Sequence, residues 1–267
     1  MNYDEQNIQP LTFSDLVEQF AACGVSKGQI ISVHTSLSKL GWVIGGAETL
    51  IRALFELVSP EGTLMMPSQT WKNLDPSKGV HWEQPESWWP LIRENWPAFD
   101  KNITPAIGMG TVAEMFRTWP GTVRSDHPSR SFAANGKHAD YLVKDHDLEN
   151  IFGKGSPLDK LYELGGHILL IGVGHEKNTS LHLAETRAEY PGKKYVKESS
   201  AIMINGERQW VDYNALDVDD GDFITLGDAY EKEFSIPRHK IGNGEMRFLQ
   251  QAPLVNWAVK WMEQNRK

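Results

Sequence analysis

Cysteine is nearly absent from this 267-residue chain: Cys23 stands alone, so no internal disulfide can form. That excludes a disulfide-stapled scaffold and fits a reducing compartment, so the sequence predicts a cytoplasmic location. Long apolar runs are missing too. The densest stretches, Ile168-Leu169-Leu170-Ile171 and residues 254–259 with Asn256 interrupting, fall far short of the ~20 residues a transmembrane helix needs. Residues 1–10 carry neither the basic start nor the apolar middle of a secretory signal, and no membrane partner is expected. There is no long Lys/Arg run, and the formal net charge is -8. Affinity for a phosphate backbone comes largely from basic side chains that displace counterions, so nucleic acid is not an expected partner. Internal repeats, low-complexity tracts and linkers are also missing.

What remains is an ordinary globular composition, 40% hydrophobic and 23% charged, on a chain long enough to bury a sizeable core. Ten tryptophans are many for this length, and Trp71, Trp82, Trp88, Trp89 and Trp96 crowd one segment. Most of them read as aromatic anchors packing a long loop onto the core.

Helical spacing of Leu16, Val17, Phe20 and Ala21 predicts a helix over residues 12–23, capped by Thr12 or Ser14, stopped by Gly24, with Cys23 as packing at its end. Residues 29–34 and 63–67 read as strands, with a helix over 47–58 between them. From 68 to about 108 the pattern dissolves into Trp, Pro and Asp, a length typical of a functional loop. A helix around Val112, Met115, Phe116 and Trp119 and a strand over 130–134 follow. Residues 157–164 are helical, 167–172 a buried strand, and Thr179 or Ser180 caps a helix running to about Glu189. Asn205-Gly206 joins a hairpin over 195–204 and 207–213. Helices over 223–234 and 252–264 flank a strand at 246–249. The fold class is α/β, a single domain with a central mixed sheet flanked by helices.

Residues 172–185 carry the densest chemistry: a buried strand passes through glycines into a helix start, where free N–H donors and the helix dipole share one space. On that helix His182, Glu185 and Glu189 share a face at i, i+3 and i+7. An imidazole beside a carboxylate is more basic and held in one orientation, which suits a general base. The plain alternative is a hydrogen-bonded histidine among solvated glutamates. His-x-x-Glu also permits a metal reading, but no HExxH or paired Cys accompanies it, and no G-x-S-x-G elbow marks a hydrolase. Hydroxyls and glycines in the loop after His34 could cradle a phosphate, and Arg124 and Arg130 with their neighbouring serines could do the same; polar surface turns are the alternative for both.

Three segments together resemble the aminoglycoside 3-N-acetyltransferase family. They are His34-Thr35-Ser36-Leu37 followed by Gly45-Gly46; Arg124-Ser125-Asp126-His127-Pro128 with Ser131-Phe132-Ala133; and Gly155-Ser156-Pro157-Leu158 with Thr179-Ser180-Leu181-His182-Leu183-Ala184-Glu185. The match spans about residues 11–262, nearly the whole chain. It implies one antibiotic N-acetyltransferase-like domain, unlike the common small acetyltransferase fold, that moves an acetyl group from acetyl-CoA to the 3-amino group of a 2-deoxystreptamine aminoglycoside. By the resemblance His182 is the catalytic histidine. His34, Thr35, Ser36 and Leu37, with Arg124, Ser125, His127, Ser131 and Phe132, would line the coenzyme A site. The implied assembly includes a homodimer.

Chemistry agrees with that assignment. An ammonium has no lone pair, so a base must take a proton before or during attack on a thioester. His182 oriented by Glu185 suits the task, and Thr179, Ser180 or helix-start amides would steady the negative oxygen that forms. With no suitable cysteine and no metal expected, direct transfer is favoured over an acyl-enzyme. Asp75, Glu83 and Glu189 would attract a cationic amine. Lys154 departs from the acidic residue expected between Gly153 and Gly155 and opposes a polycation there. Two alternatives stay open: a different small amine as acceptor, and a coenzyme A-binding protein without turnover.

Overall fold

Thr12 and Asp15 open the first helix reciprocally: the Asp15 amide donates to Thr12 Oγ1 at 3.2 Å and the Thr12 amide to Asp15 Oδ2 at 2.8 Å. This satisfies two donors near the helix start, and Gly24 in the left-handed conformation ends the helix. In the computed structural model, which describes residues 9–78 and 83–267, that helix is α1 (Phe13–Cys23). The chain continues through β1 (Ile30–Thr35), α2 (Gly46–Val58), β2 (Thr63–Pro67), α3 (Trp89–Asn95), α4 (Thr111–Arg117), β3 (Val123–Arg124), β4 (Phe132–Gly136) and α5 (Ala139–Val143). It then forms α6 (Pro157–Glu163), β5 (His167–Ile171), α7 (Ser180–Arg187), β6 (Tyr195–Ile204) and β7 (Glu207–Leu216). The last elements are α8 (Phe223–Phe234), β8 (His239–Ile241), β9 (Gly244–Gln250) and α9 (Gln251–Asn265).

Seven strands form one sheet in the order β3-β4-β2-β1-β5-β9-β8. β1 pairs in parallel with β2 and β5, while β4 and β9 run antiparallel to their neighbours, so the sheet is mixed as the sequence predicts. β6 and β7 make a separate hairpin. Its Asn205-Gly206 turn holds φ at 50° and 83°, the pair of positive values that a tight hairpin turn requires.

Strand alternation divides the core in two. Ile31 and Val33 of β1 pack with Leu16, Phe20, Leu50 and Phe116 from α1, α2 and α4. Ile30 packs on the other side, with Phe152, Leu158, Leu181 and Leu254. Ser32 and His34 share the side of Ile30, so β1 sends a buried imidazole toward the layer that contains α7. Because β1, β2 and β5 are parallel, their C-terminal ends lie on one edge of the sheet, where open α/β sheets build ligand sites.

Several elements differ from the sequence reading. α7 stops at Arg187, and Ala188 is already extended, because Pro191 forbids the helix from continuing through its predecessor. Glu189 therefore lies off the α7 face. Thr179 occupies the N-cap position without making a cap; Asn178 Oδ1 accepts from the Ser180 amide at 3.3 Å instead. β3, α5 and β8 are too short to show a period, and β4 begins at Phe132 rather than Arg130. The long segment after β2 contains three 3₁₀ turns and α3. Trp96 Nε1 donates to Asn73 Oδ1 at 2.8 Å, and the Asp75 and Phe99 amides donate to Ser199 and Ala201 of β6, so the loop is tied to the hairpin. Trp88 is exposed rather than an anchor, and Trp82 lies outside the described residues. No helix among the described residues is long and apolar enough to cross a membrane.

Candidate active site

The exits of β1 and β5 lie side by side. The Ser36 amide donates to Ile171 O at 2.9 Å, and Gly172 turns away with φ at 64°; a Cβ there would sit 2.8 Å from Ser36 O, so glycine is required. From this turn the chain passes through a 3₁₀ turn (His175–Lys177) into α7.

One turn into α7, His182 Nδ1 lies 2.7 Å from Glu185 Oε2. The i, i+3 spacing places both on one face, as the sequence predicts. Phe152 stacks on the imidazole, with centroids 4.8 Å apart and planes within 8°, and Phe223 packs against it tilted by 55°, its centroid also 4.8 Å away. The rings fix the imidazole plane, and the carboxylate holds the proton on Nδ1. Nε2 is then left with its lone pair. The His182 side chain keeps 13% of its surface exposed, while Glu185 has none.

Glu185 uses its second oxygen for three further donors. Oε1 accepts from the Asp219 amide at 2.9 Å, Arg266 Nη1 at 2.6 Å and the Tyr190 hydroxyl at 3.4 Å. Burial pushes its carboxyl pKa up, but the hydrogen bond from His182, the Asp219 amide and the Arg266 guanidinium outweigh that and hold it below the ordinary value. The carboxylate stays ionised at neutral pH. Asp219 and Arg266 escaped the sequence reading; the acidic run at 217–222 was the only local hint of this wall. Thr179 stands one turn before His182 on the same face.

His34 is buried, 3.5 Å from Ser32 Oγ through Nε2, and burial drives its pKa down to about 3, so it is neutral. Thr35 Oγ1 is buried without a hydrogen-bond partner, as is Ser68 Oγ just beyond β2. Ser36 and Ser38 face each other at 3.3 Å, and Leu37 opens a 3₁₀ turn. These residues share the sheet edge from which α7 is reached.

In the segment from Arg124 to Phe132 most polar side chains bond within the protein, while Arg130 Nε and Nη1 are buried without a hydrogen-bond partner. Arg124 donates to Ser131 Oγ, Thr70 Oγ1 and the carbonyls of Ser68 and Thr104, and lies over Phe99; burial lowers its pKa to about 9. Ser125 Oγ meets His146 Nδ1 at 3.0 Å and accepts from the Phe132 amide at 2.9 Å. His127 Nδ1 accepts from the Ser129 and Arg130 amides, while Nε2 donates to Leu148 O. Ser131 Oγ donates to Ser68 O. Phe132 is wholly buried and meets Phe152 edge-on, so this segment backs the ring that stacks on His182.

The acidic residues expected to attract the amine, Asp75, Glu83 and Glu189, make no hydrogen bond or ion pair with His182 among the described residues. Asp75 is held by Arg93 at 2.6 and 2.9 Å; burial would raise its pKa, but Arg93 and Ser77 bring it to about 2. Glu83 is an exposed residue of the long loop. Glu189 is exposed and pairs with Lys193 at 3.2 Å. Asp217, Asp219 and Asp220 are exposed on the loop that leads to Phe223; its Asp219 amide reaches Glu185, and Asp217 pairs with Lys194 at 3.1 Å. A groove of about 870 Å³ runs along edge strand β3 past Arg117, Asp126 and Asp147, but neither His182 nor Glu185 lines it.

A family model described as aminoglycoside 3-N-acetyltransferase matches residues 33–263. The chain belongs to this family. It is 38% identical to the SPbeta prophage-derived aminoglycoside N(3')-acetyltransferase-like protein YokD of Bacillus subtilis (strain 168), over 98% of this chain and 96% of that protein. The crystal structure of YokD superimposes with a TM-score of 0.93, again over 98% and 96%. An aminoglycoside N(3)-acetyltransferase VII of Streptomyces paromomycinus is 34% identical over 96% of this chain and 92% of its own. A structure of AAC-IIIb with CoASH shares the fold at a TM-score of 0.86 and 29% identity, covering 96% of this chain and 97% of that one.

Proposed function

We propose that this family member transfers an acetyl group from acetyl-CoA directly to the 3-amino group of a 2-deoxystreptamine aminoglycoside, with His182 as general base. The observation that carries the proposal is the free Nε2 of an imidazole whose other nitrogen is tied to a buried, ionised carboxylate. The acceptor reacts as the neutral amine, its ammonium proton released to solvent, and Nε2 takes a second proton from that nitrogen as the N–C bond to the thioester carbonyl forms. Glu185 steadies the imidazolium without itself becoming protonated. When the C–S bond breaks, the imidazolium returns that proton to the leaving thiolate, so the products are an acetamide and free thiol. Thr179 and the amides at the start of α7 are the donors proposed for the carbonyl oxygen as it becomes negative.

In this proposal acetyl-CoA binds at the shared edge of β1, β2 and β5. The unpartnered hydroxyls of Thr35 and Ser68 support this, since buried polar atoms without partners fit a ligand that supplies them. CoASH in the AAC-IIIb structure supports the choice of donor. The exposed carboxylates of Asp219 and Asp220 suit a polycationic acceptor, whereas Asp217 is already paired with Lys194 at 3.1 Å.

Thiol release from acetyl-CoA with a panel of deoxystreptamine aminoglycosides is the test. Release in the wild type should fall about 10²- to 10⁴-fold in His182→Ala, the usual contribution of a positioned base. Full turnover in that variant would remove His182 from the mechanism. A second reading keeps the fold and donor but changes the acceptor to another small amine. Lys154, exposed two residues after Phe152, motivates it, and a product acetylated on a nitrogen outside any aminoglycoside would decide for it.

A further inference from the structure

Arg266 lies just past α9, and every donor of its guanidinium is used. Nη1 reaches Glu185 Oε1 at 2.6 Å and the Tyr190 hydroxyl at 3.2 Å. Nη2 reaches Asp222 Oδ1 at 2.7 Å and Asp219 O at 2.8 Å, and Nε reaches Asp222 Oδ2 at 2.8 Å. The plane lies over the Tyr190 ring at 5.0 Å and nearer still to the carboxylates. A flexible ammonium has three donors and no fork, so it cannot reproduce these five bonds or the two-pronged grip on Asp222. Asp222 immediately precedes Phe223, the ring that closes on His182, so one side chain ties down both the carboxylate behind the imidazole and the aromatic in front of it.

We propose that Arg266 is a positioning residue for the His182–Glu185 pair, and that it tunes how readily His182 accepts a proton. The kinetic part rests on the acetyl-transfer reading; the effect on the imidazole does not. The charged and titratable groups packed around the pair are Arg266, Asp219, Asp222 and Tyr190, from α9, the loop before α8 and the segment after α7. The Phe152 loop and α8 bring rings rather than charge to the imidazole itself. Arg266 offsets part of the negative charge that Glu185 presents to the ring. Without it the imidazolium is favoured, so the His182 titration midpoint moves to higher pH.

The experiment compares wild type, Arg266→Met and Arg266→Lys by the pH profile of kcat and by NMR titration of the His182 ring. Arg266→Met should lose about tenfold in kcat with KM within about threefold, and its acidic limb and ring midpoint should both rise. Arg266→Lys should return the midpoint toward wild type, because charge is restored, while recovering only part of kcat, because the fork is not. A structural role alone would lower folded content or kcat at every pH and leave the midpoint in place, which would overturn the proposal. Full kcat in Arg266→Lys would overturn the fork argument and decides the matter if the Met variant does not fold. If the wild type acetylates no amine, the acetyl-transfer reading fails, and the NMR midpoint alone judges Arg266: a rise in Arg266→Met supports it, no change overturns it.

Discussion

Two histidine–carboxylate pairs flank the start of α7, and they behave oppositely. His182 meets Glu185 at 2.7 Å, and His175 meets Glu231 at 3.0 Å. In the first pair one ring nitrogen is tied and the other has open space. In the second both are engaged, since His175 Nδ1 lies 3.2 Å from Asn178 Nδ2, and only 1% of the side chain is exposed. Glu231 is also gripped by Arg238 and Arg247, at 2.6 and 2.5 Å. Gly227 of α8 packs so closely that a Cβ would fall 2.0 Å from the His175 ring. A His–Glu hydrogen bond therefore does not by itself mark a base; the proposed base differs from His175 by an unused nitrogen at the edge of the core. Ser125 and His146 make the same point, because their 3.0 Å contact resembles a nucleophile pair while Ser125 Oγ is already occupied by the Phe132 amide.

The largest expected effects separate the pairs by what they break. His182→Gln should cost about 10²- to 10⁴-fold in kcat with an unfolding midpoint close to wild type. Glu231→Ala should do the reverse: it strands Arg247 and His175, so urea unfolding should show a loss of about 3–5 kcal/mol. Equal kinetic losses from both changes would abolish the distinction.

Acid should reach the structural groups in order. Burial holds His146 down to about 4 and His34 to about 3, from an ordinary 6.5. The unfolded chain therefore binds these protons first as pH falls. Their stabilisation is complete above pH 6.5 and is lost on the way down, toward 4 for His146 and toward 3 for His34. Glu231 adds a second window: burial alone would raise its pKa, but His175, Arg238 and Arg247 bring it to about 2 from 4.5, so its share disappears only below 4.5. Unfolding free energy measured from pH 8 to 3 should decline in these two stages, and a flat profile between 6.5 and 4.5 would contradict the neutral, buried histidines. A smaller effect is expected at Asn178→Ala, which removes both the oxygen bonded to the Ser180 amide and the amide group beside His175 Nδ1 and should cost about 1–3 kcal/mol.

Much of the fold was legible. Residues 223–234 read as a helix from period alone and form α8, and Asn205-Gly206 announced its hairpin. These are local properties, set by backbone geometry over a few neighbours. The two-residue β3 and the five-residue α5 carry no period to read, and their pairing depends on β4 and on the helices above them. Asp75 and Glu189 looked like free anions in the sequence, yet Arg93 and Lys193 neutralise them in space.

The amino-acid order alone determined that His182 and Glu185 share a helix face, because a three-residue separation on an α-helix leaves no other arrangement. Tertiary structure decided the rest. Whether Nε2 is free, whether Glu185 is dry and ionised, and whether Phe152 and Phe223 pack against the ring depend on residues brought from distant parts of the chain, Arg266 among them at a separation of 81. Spacing is a property of one helix; burial and charge compensation exist only where several elements meet.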